Sequence, residues 1–234
     1  MNPRLENAGF DAWLVRLFDD IDEASMNWIA ALVQACEQAF GKQLVELVPS
    51  YTTLLVQFDP LTLDHAEAGR LLQQLLAKLE PLEDNTQHEV KTLPVWYHPS
   101  VGPDLARLAQ HTGLSTQQII ELHSGHTYRV FALGFAPGFA FMGTLPEQLE
   151  TPRLASPRST VPAGSVALAG RQTAAYPRTT PGGWNLLGRT PARLFDPASQ
   201  NLSLLRVGDR VRFEPVSKAE FERLGGDTSP MEAP

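Results

Sequence analysis

Leu44-Val45-Glu46-Leu47-Val48-Pro49-Ser50-Tyr51-Thr52-Thr53-Leu54-Leu55-Val56-Gln57-Phe58 reads as two strands, Leu44 to Val48 and Thr52 to Phe58. The link between them, Pro49-Ser50-Tyr51, is short enough to impose an antiparallel turn. Working outward, the segment before this hairpin has the period of a helix. Asp22 or Ser25 can cap it, Met26, Ile29, Ala30, Val33 and Cys36 recur on one face, and Gly41 follows Phe40 as a stop. Upstream again, Ala12 to Phe18 is short, aromatic and branched, which suits a strand. On the other side Asp64 opens a helix with Leu71, Leu72, Leu75, Leu76 and Leu79 inward, and Glu89 to Tyr97 reads as a closing strand. The order strand, helix, strand, strand, helix, strand is that of a ferredoxin-like α+β unit, expected over residues 1–98.

A helical connector is expected over 99–124. One helix starts at Gly102-Pro103-Asp104 and stops at Gly113, and Ser115 caps a second that runs to His123. From Gly134 to Pro191 glycine and proline are frequent enough to forbid long helices. Strand candidates are Tyr128–Leu133, Ser165–Ala169, Leu202–Leu205 and Arg210–Phe213. They predict a small β-barrel over 125–217, followed by a tail, 218–234, whose end is expected to be disordered.

Composition narrows the function. With 26 acidic and 19 basic residues the net charge is -7, so a nucleic-acid partner is not expected. Cys36 is the only cysteine, which rules out an internal disulfide and suits a buried, inert thiol. No signal peptide or membrane span is legible, and a cytoplasmic location is expected. Phosphate-loop, Gly-x-Ser-x-Gly and cysteine-cluster patterns are missing from the sequence. His123 and His126 stand three apart with no third ligand patterned near them, so no metal is expected.

The most distinctive run is Gly134-Phe135-Ala136-Pro137-Gly138-Phe139-Ala140-Phe141-Met142-Gly143. It is followed in order by Thr151-Pro152-Arg153, Pro157-Arg158, Val161-Pro162-Ala163-Gly164-Ser165-Val166, Gln172-Thr173, Tyr176-Pro177, Pro181-Gly182-Gly183-Trp184 and Gly188-Arg189-Thr190-Pro191. These motifs resemble those of the family of 5-oxoprolinase B subunits, also described as kinase-A-inhibitor-like or allophanate-hydrolase-subunit-1-like. Arg171, Ala174-Ala175 and Phe141-Met142 depart from that family's pattern. The resemblance implies an N-terminal ferredoxin-like domain and a C-terminal cyclophilin-like β-barrel. It also implies work with C and A subunits that opens 5-oxoproline to glutamate while ATP is hydrolysed, the ATP being held in a composite site. Two other activities are implied within the same family: inhibition of a sensor histidine kinase, and carboxyl transfer in urea or allophanate metabolism.

The same residues can be read as chemistry. Arg153 and Arg158 each follow a proline and could bracket an acidic substrate with two planar forks, or could make surface ion pairs. Gln172 can donate to and accept from a lactam, and Tyr176 can donate to an oxyanion. With Thr173 they could equally form a buried network that shapes a loop. The Pro137-Gly138 backbone could aim amides at an anionic oxygen, while Phe139 could bind or pack. Arg189 is a further anion-binding candidate, and Trp184 suits packing. His123 or His126 could act as a general acid or base, and the resemblance favours His123, which stands at the family's His-Ser motif. The candidate catalytic set is therefore His123, Arg153, Arg158, Gln172 and Tyr176, and the candidate substrate-binding set is Pro137, Gly138, Phe139, Thr173 and Arg189.

Overall fold

The computed structural model describes residues 2–83 and 89–231. The chain divides into two compact units, Met1–Gln87 and His88–Pro234.

In the first unit β1 (Arg4–Asn7), β2 (Ala12–Arg16), α1 (Ser25–Phe40), β3 (Leu44–Ser50), β4 (Thr53–Phe58) and α2 (His65–Leu76) follow in order. Its strands lie antiparallel in the order β1-β2-β4-β3. Alternation along β4 sends Leu54, Val56 and Phe58 into a core with Val15, Ile29, Leu32, Cys36 and Leu72. Burial pushes the Cys36 thiol up to about 12, which keeps it protonated and unreactive. Local signals set the helix ends. The Asp64 carboxylate accepts the Glu67 amide, and Gly41 ends α1 at φ 52. Ala24 stands at the N-cap of α1 without a side-chain bond, and Asp22 instead accepts the Ala24 amide.

The expected closing strand does not belong here. β5 (Val90–Val95) lies in the second unit, parallel to a strand near the far end of the chain, and the edge beside β2 is filled by β1. Hydrophobicity marks the strand but carries no information on its partner.

The second unit continues with α3 (Leu105–Thr112), α4 (Thr116–Ser124), β6 (Thr127–Leu133), β7 (Ala140–Gly143), β8 (Arg158–Val161), β9 (Ser165–Ala169), β10 (Gln172–Ala175), β11 (Thr180–Gly182), β12 (Asn185–Arg189), β13 (Arg210–Pro215) and α5 (Lys218–Arg223). Antiparallel ladders run β13-β6-β7-β10-β9-β12, with β5 parallel on the outer side of β13 and a separate β8–β11 pair. Continuous ladders do not close this path into a barrel. Among the described residues its two ends meet at an isolated bridge, Trp96 with Arg189, made by two backbone hydrogen bonds of 2.9 and 3.0 Å.

The unit is thus mixed α and β with a mostly antiparallel sheet. Leu202–Leu205, expected as a strand, makes only the Phe195–Ser203 bridge. The two helices expected as a connector have the expected caps: Gly113 at φ 74, and a Ser115–Gln118 capping box. They cover one face of the sheet, where Leu105, Leu108 and Ile119 pack with Leu93, Val130, Met142, Val166, Leu168 and Leu187. The residues after α5 are held in place as far as Met231, whose amide donates to the Ser100 carbonyl at 2.7 Å. The expectation of a disordered end otherwise falls on 232–234, outside the described residues.

Candidate functional site

Strand alternation gives the sheet of the second unit two chemically different faces. On β10, Thr173 and Ala175 point to the helix-covered face, while Gln172, Ala174 and Tyr176 share the other. That second face carries an aromatic cluster. Phe139 makes edge contacts with Phe135, Phe141, Tyr176 and Trp184 at centroid separations of 5.2, 4.8, 5.3 and 5.8 Å. Over the Trp184 ring lies the exposed guanidinium of Arg153, 5.8 Å from its centroid.

The glycine-rich loop that delivers Phe139 is stiffened by its own backbone. Ala136 N–H donates to the Gly134 carbonyl, Phe139 N–H to Ala136, and Gly134 N–H to Phe139. The Ala136 and Phe139 amides are therefore spent inside the loop. Phe135, at φ 66, remains 62% exposed, and Pro137 is exposed beside it. Gly138 is required: it sits at φ 81, and a Cβ there would meet the Leu194 oxygen and Phe195 Cβ at 2.8 Å. Gly138→Ala is expected to cost about 1–3 kcal/mol, as overpacking usually does, read as a lower urea midpoint with unchanged cooperativity.

Beneath the cluster lies a buried ion pair. Arg158 donates from Nη2 to Asp104 Oδ1 at 2.8 Å, with the two side chains 7% and 2% exposed. Asp104 Oδ2 accepts the Leu186 amide at 2.7 Å, and Arg158 Nη1 reaches the Trp184 carbonyl at 3.5 Å. Arg107 bonds Asn185, whose amide donates to the carbonyls of Pro152 and Leu168. The fork expected for substrate at Arg158 is therefore committed to Asp104 and to the shape of the loops around Trp184. The sequence marks Asp104 only as a helix start, because nothing local to it announces a partner at residue 158. Tyr176 is buried, and burial raises its phenol despite a hydrogen bond with the Trp184 backbone and the nearby charges of Arg153 and Arg158.

His123 and Thr173 are on the opposite, helix-covered face. Thr173 donates its one hydroxyl proton to the Ala167 carbonyl at 3.0 Å, so its oxygen accepts from His123 Nε2 at 2.8 Å. Nδ1 must then accept from the Tyr97 hydroxyl at 2.7 Å. The ring stacks on Phe213 at 4.6 Å and is fully buried, which pulls its pKa down to about 3. Both nitrogens are committed and no charge is carried, so the structure places His123 in the core and not among acid–base groups. Arg189 lies at one end of the aromatic face, as the ladder partner of Ser165, under the C-terminal tail.

The structure therefore gathers Arg153, Gln172, Tyr176, Pro137, Gly138 and Phe139 on or around one face, with Arg158 as its support. It separates them from His123 and Thr173. Among the described residues there is no group of three or more His, Cys, Asp or Glu able to hold a metal ion, and no helix is long and apolar enough to cross a membrane.

Residues 3–205 match the model of the carboxyltransferase domain, subdomain C and D. The chain is 49% identical over 175 residues to the 5-oxoprolinase B subunit of Escherichia coli O157:H7, covering 74% of this chain and 78% of that one. It is 35% identical over 229 residues to the 5-oxoprolinase B subunit of Bacillus subtilis (strain 168), covering 93% and 95% of the two chains. Among solved structures, TTHA0988 aligns with a TM-score of 0.77 and 37% identity over 88% of this chain, which spans only 40% of that longer one. The urea carboxylase of Kluyveromyces lactis, 17% identical, aligns over 94% of this chain and 22% of its own with a TM-score of 0.74, a likeness of fold alone. A family match over most of the chain, with relatives 49% and 35% identical over 74% and 93% of it, establishes that the chain belongs to the carboxyltransferase subdomain C and D family, in which these curated relatives are 5-oxoprolinase B subunits.

Proposed function

We propose that this chain is the B subunit of a cytoplasmic, ATP-dependent 5-oxoprolinase, acting with C and A subunits to open 5-oxoproline to L-glutamate. On this reading its two units correspond to the ferredoxin-like and cyclophilin-like domains of that family. The observation that carries the reading is identity to 5-oxoprolinase B subunits over most of both chains. The aromatic face supports it. On this reading the Gln172 amide would pair with both lactam N–H and C=O, and the exposed Arg153 guanidinium would hold the carboxylate. A lactam is a stable amide. Transfer of the γ-phosphoryl group of ATP to its oxygen, with release of ADP, would activate the ring carbon; one water then adds there and the C–N bond breaks to give an acyl phosphate, and a second water cleaves that to glutamate and phosphate.

The test is co-expression with the C and A subunits and measurement of 5-oxoproline-dependent ATP hydrolysis. Turnover is expected from the assembled complex and not from the chain alone. ATP hydrolysis indifferent to 5-oxoproline, or full activity from the isolated chain, overturns the reading. Within the active complex Arg153→Ala is expected to lower turnover efficiency about ten- to hundred-fold, the value of a lost charge-assisted contact of about 1.5–3 kcal/mol. Because Arg153 is exposed, stability should fall by less than about 1 kcal/mol. Lysine should rescue poorly, since it keeps the charge and loses the fork.

A further inference from the structure

Arg189 ends β12 and Ser165 begins β9, and the two are direct partners in the antiparallel ladder. Their side chains therefore leave the sheet on the same side. That side is the aromatic one, because Ser165 alternates in step with Ala167 and Ala169, which belong to the aromatic cluster. Arg189 is 1% exposed and Ser165 is fully buried. Arg189 Nη1 donates to the carbonyls of Asp227 at 2.7 Å and Ser229 at 3.0 Å. Its Nε and Nη2, and the Ser165 hydroxyl, are buried without a partner. Bare buried donors on a cation are costly, and a native fold rarely leaves several of them together.

We propose that Arg189 and Ser165 form an oxyanion-binding site at one end of the aromatic face, and that Asp227–Met231 of the chain's own tail lies over it as a displaceable cover. A carboxylate or phosphoryl oxygen pair on Nε and Nη2, with a third bond from Ser165, would satisfy all three groups that are now bare. The tail does not do this. It offers neutral carbonyls to Nη1, while the Asp227 carboxylate stands 3.5 Å from Nη1 and is itself 67% exposed. Between Gly225 and Met231 the tail has neither helix nor strand. Its other fastenings include the Gly226 amide on the Phe221 carbonyl at 2.9 Å, the Met231 amide on Ser100 and a half-buried Met231 side chain against the aromatic cluster. Without a helix or strand to hold it, the segment opens locally at low cost, and a flexible thioether is easily replaced. The expected ligand is a small molecule with one oxyanion and a compact apolar or planar body. The site rests on this geometry alone and not on the oxoprolinase reading, so its test involves no turnover.

The experiment uses the full-length protein, with inorganic phosphate and acetate titrated at constant ionic strength. Backbone amide NMR signals of Ser229 and Met231 report the cover. Saturable binding is expected, together with movement of both signals toward those of a free chain. Met231→Ser, which loosens the cover, should tighten binding several-fold. Ser165→Ala should weaken it at least about threefold and Arg189→Lys at least about tenfold, the loss of one neutral and of one forked contact. If Arg189→Lys fails to fold, Ser165→Ala decides, since it removes a hydroxyl that has no partner. The two anions distinguish a carboxylate site from a phosphoryl site. No saturable binding of either anion to Met231→Ser, or binding indifferent to Ser165→Ala, overturns the site. Binding that leaves the Ser229 and Met231 signals in place overturns the cover.

Discussion

Arg158→Ala is expected to destabilise the protein by about 3–5 kcal/mol, the cost of leaving a buried charge without its partner. The charge left behind is the Asp104 carboxylate, 2% exposed, which would keep only the Leu186 amide at 2.7 Å as a donor. The loss is a burial penalty and not a measure of how much the ion pair contributes, and a second variant separates the two. Asp104→Asn keeps an oxygen for the Leu186 amide and removes the charge. Combined with Arg158→Met, which fills the volume, it should restore a large part of the stability lost in Arg158→Ala. Urea unfolding of the two single variants and the double variant gives the coupling. A double variant no better than Arg158→Ala would mean that the pair matters through geometry and not through compensated charge. An Arg158→Ala protein of normal stability would return that arginine to the substrate-facing set.

The two arginines show where sequence reasoning stops. Arg153 and Arg158 carry the same local signal, a proline before each, yet one is exposed over Trp184 and the other is buried against Asp104. The difference is made by a residue more than fifty positions away, and periodicity carries no such information. Features set within a few residues are legible. Asp64, Ser115, Gly41 and Gly113 mark helix ends where expected, and Ser165–Ala169 is a strand with the expected bounds. Strands such as Gln172–Ala175 are not, because four residues with a single branched side chain have no period of their own and become a strand only through β9 and β7. The same limit hides the parallel pairing of β5 with β13. For the site, the Gly-Phe-Ala-Pro-Gly-Phe run and Gln172 are legible in the sequence, and Trp184, whose context suits packing, does pack at the centre of the aromatic face. His123 escapes sequence reasoning for a physical reason. A histidine at a helix end near a polar motif looks the same in sequence whether its two nitrogens face solvent or a tyrosine and a threonine.

That burial makes His123 the source of a measurable pH dependence. Its pKa is held down at about 3 in the folded protein, chiefly by desolvation and secondarily by the nearby His126, against an ordinary value of 6.5. Between these values the unfolded chain binds a proton that the folded protein refuses. The unfolded state holds more protons, so stability rises with pH across the window and is lost as pH falls below 6.5. One proton corresponds to about 1.36 kcal/mol per pH unit, so the step from pH 6.5 to 5 should cost about 2 kcal/mol, and the whole window on the order of 5 kcal/mol. Above pH 7 the histidine contributes no slope. His123→Gln offers an acceptor for Tyr97 and a donor for Thr173 but cannot titrate. It should be less stable at neutral pH, since the stacked ring on Phe213 is lost, yet its stability should fall more gently between pH 6.5 and 5. The wild-type and variant stability curves should therefore converge as the solution is acidified. The check is a series of urea midpoints at fixed ionic strength, with the His123 ring signals followed by NMR. Parallel curves, or a His123 ring that titrates near 6.5 in the folded protein, would show that its nitrogens reach water and would reopen its candidacy as an acid–base group.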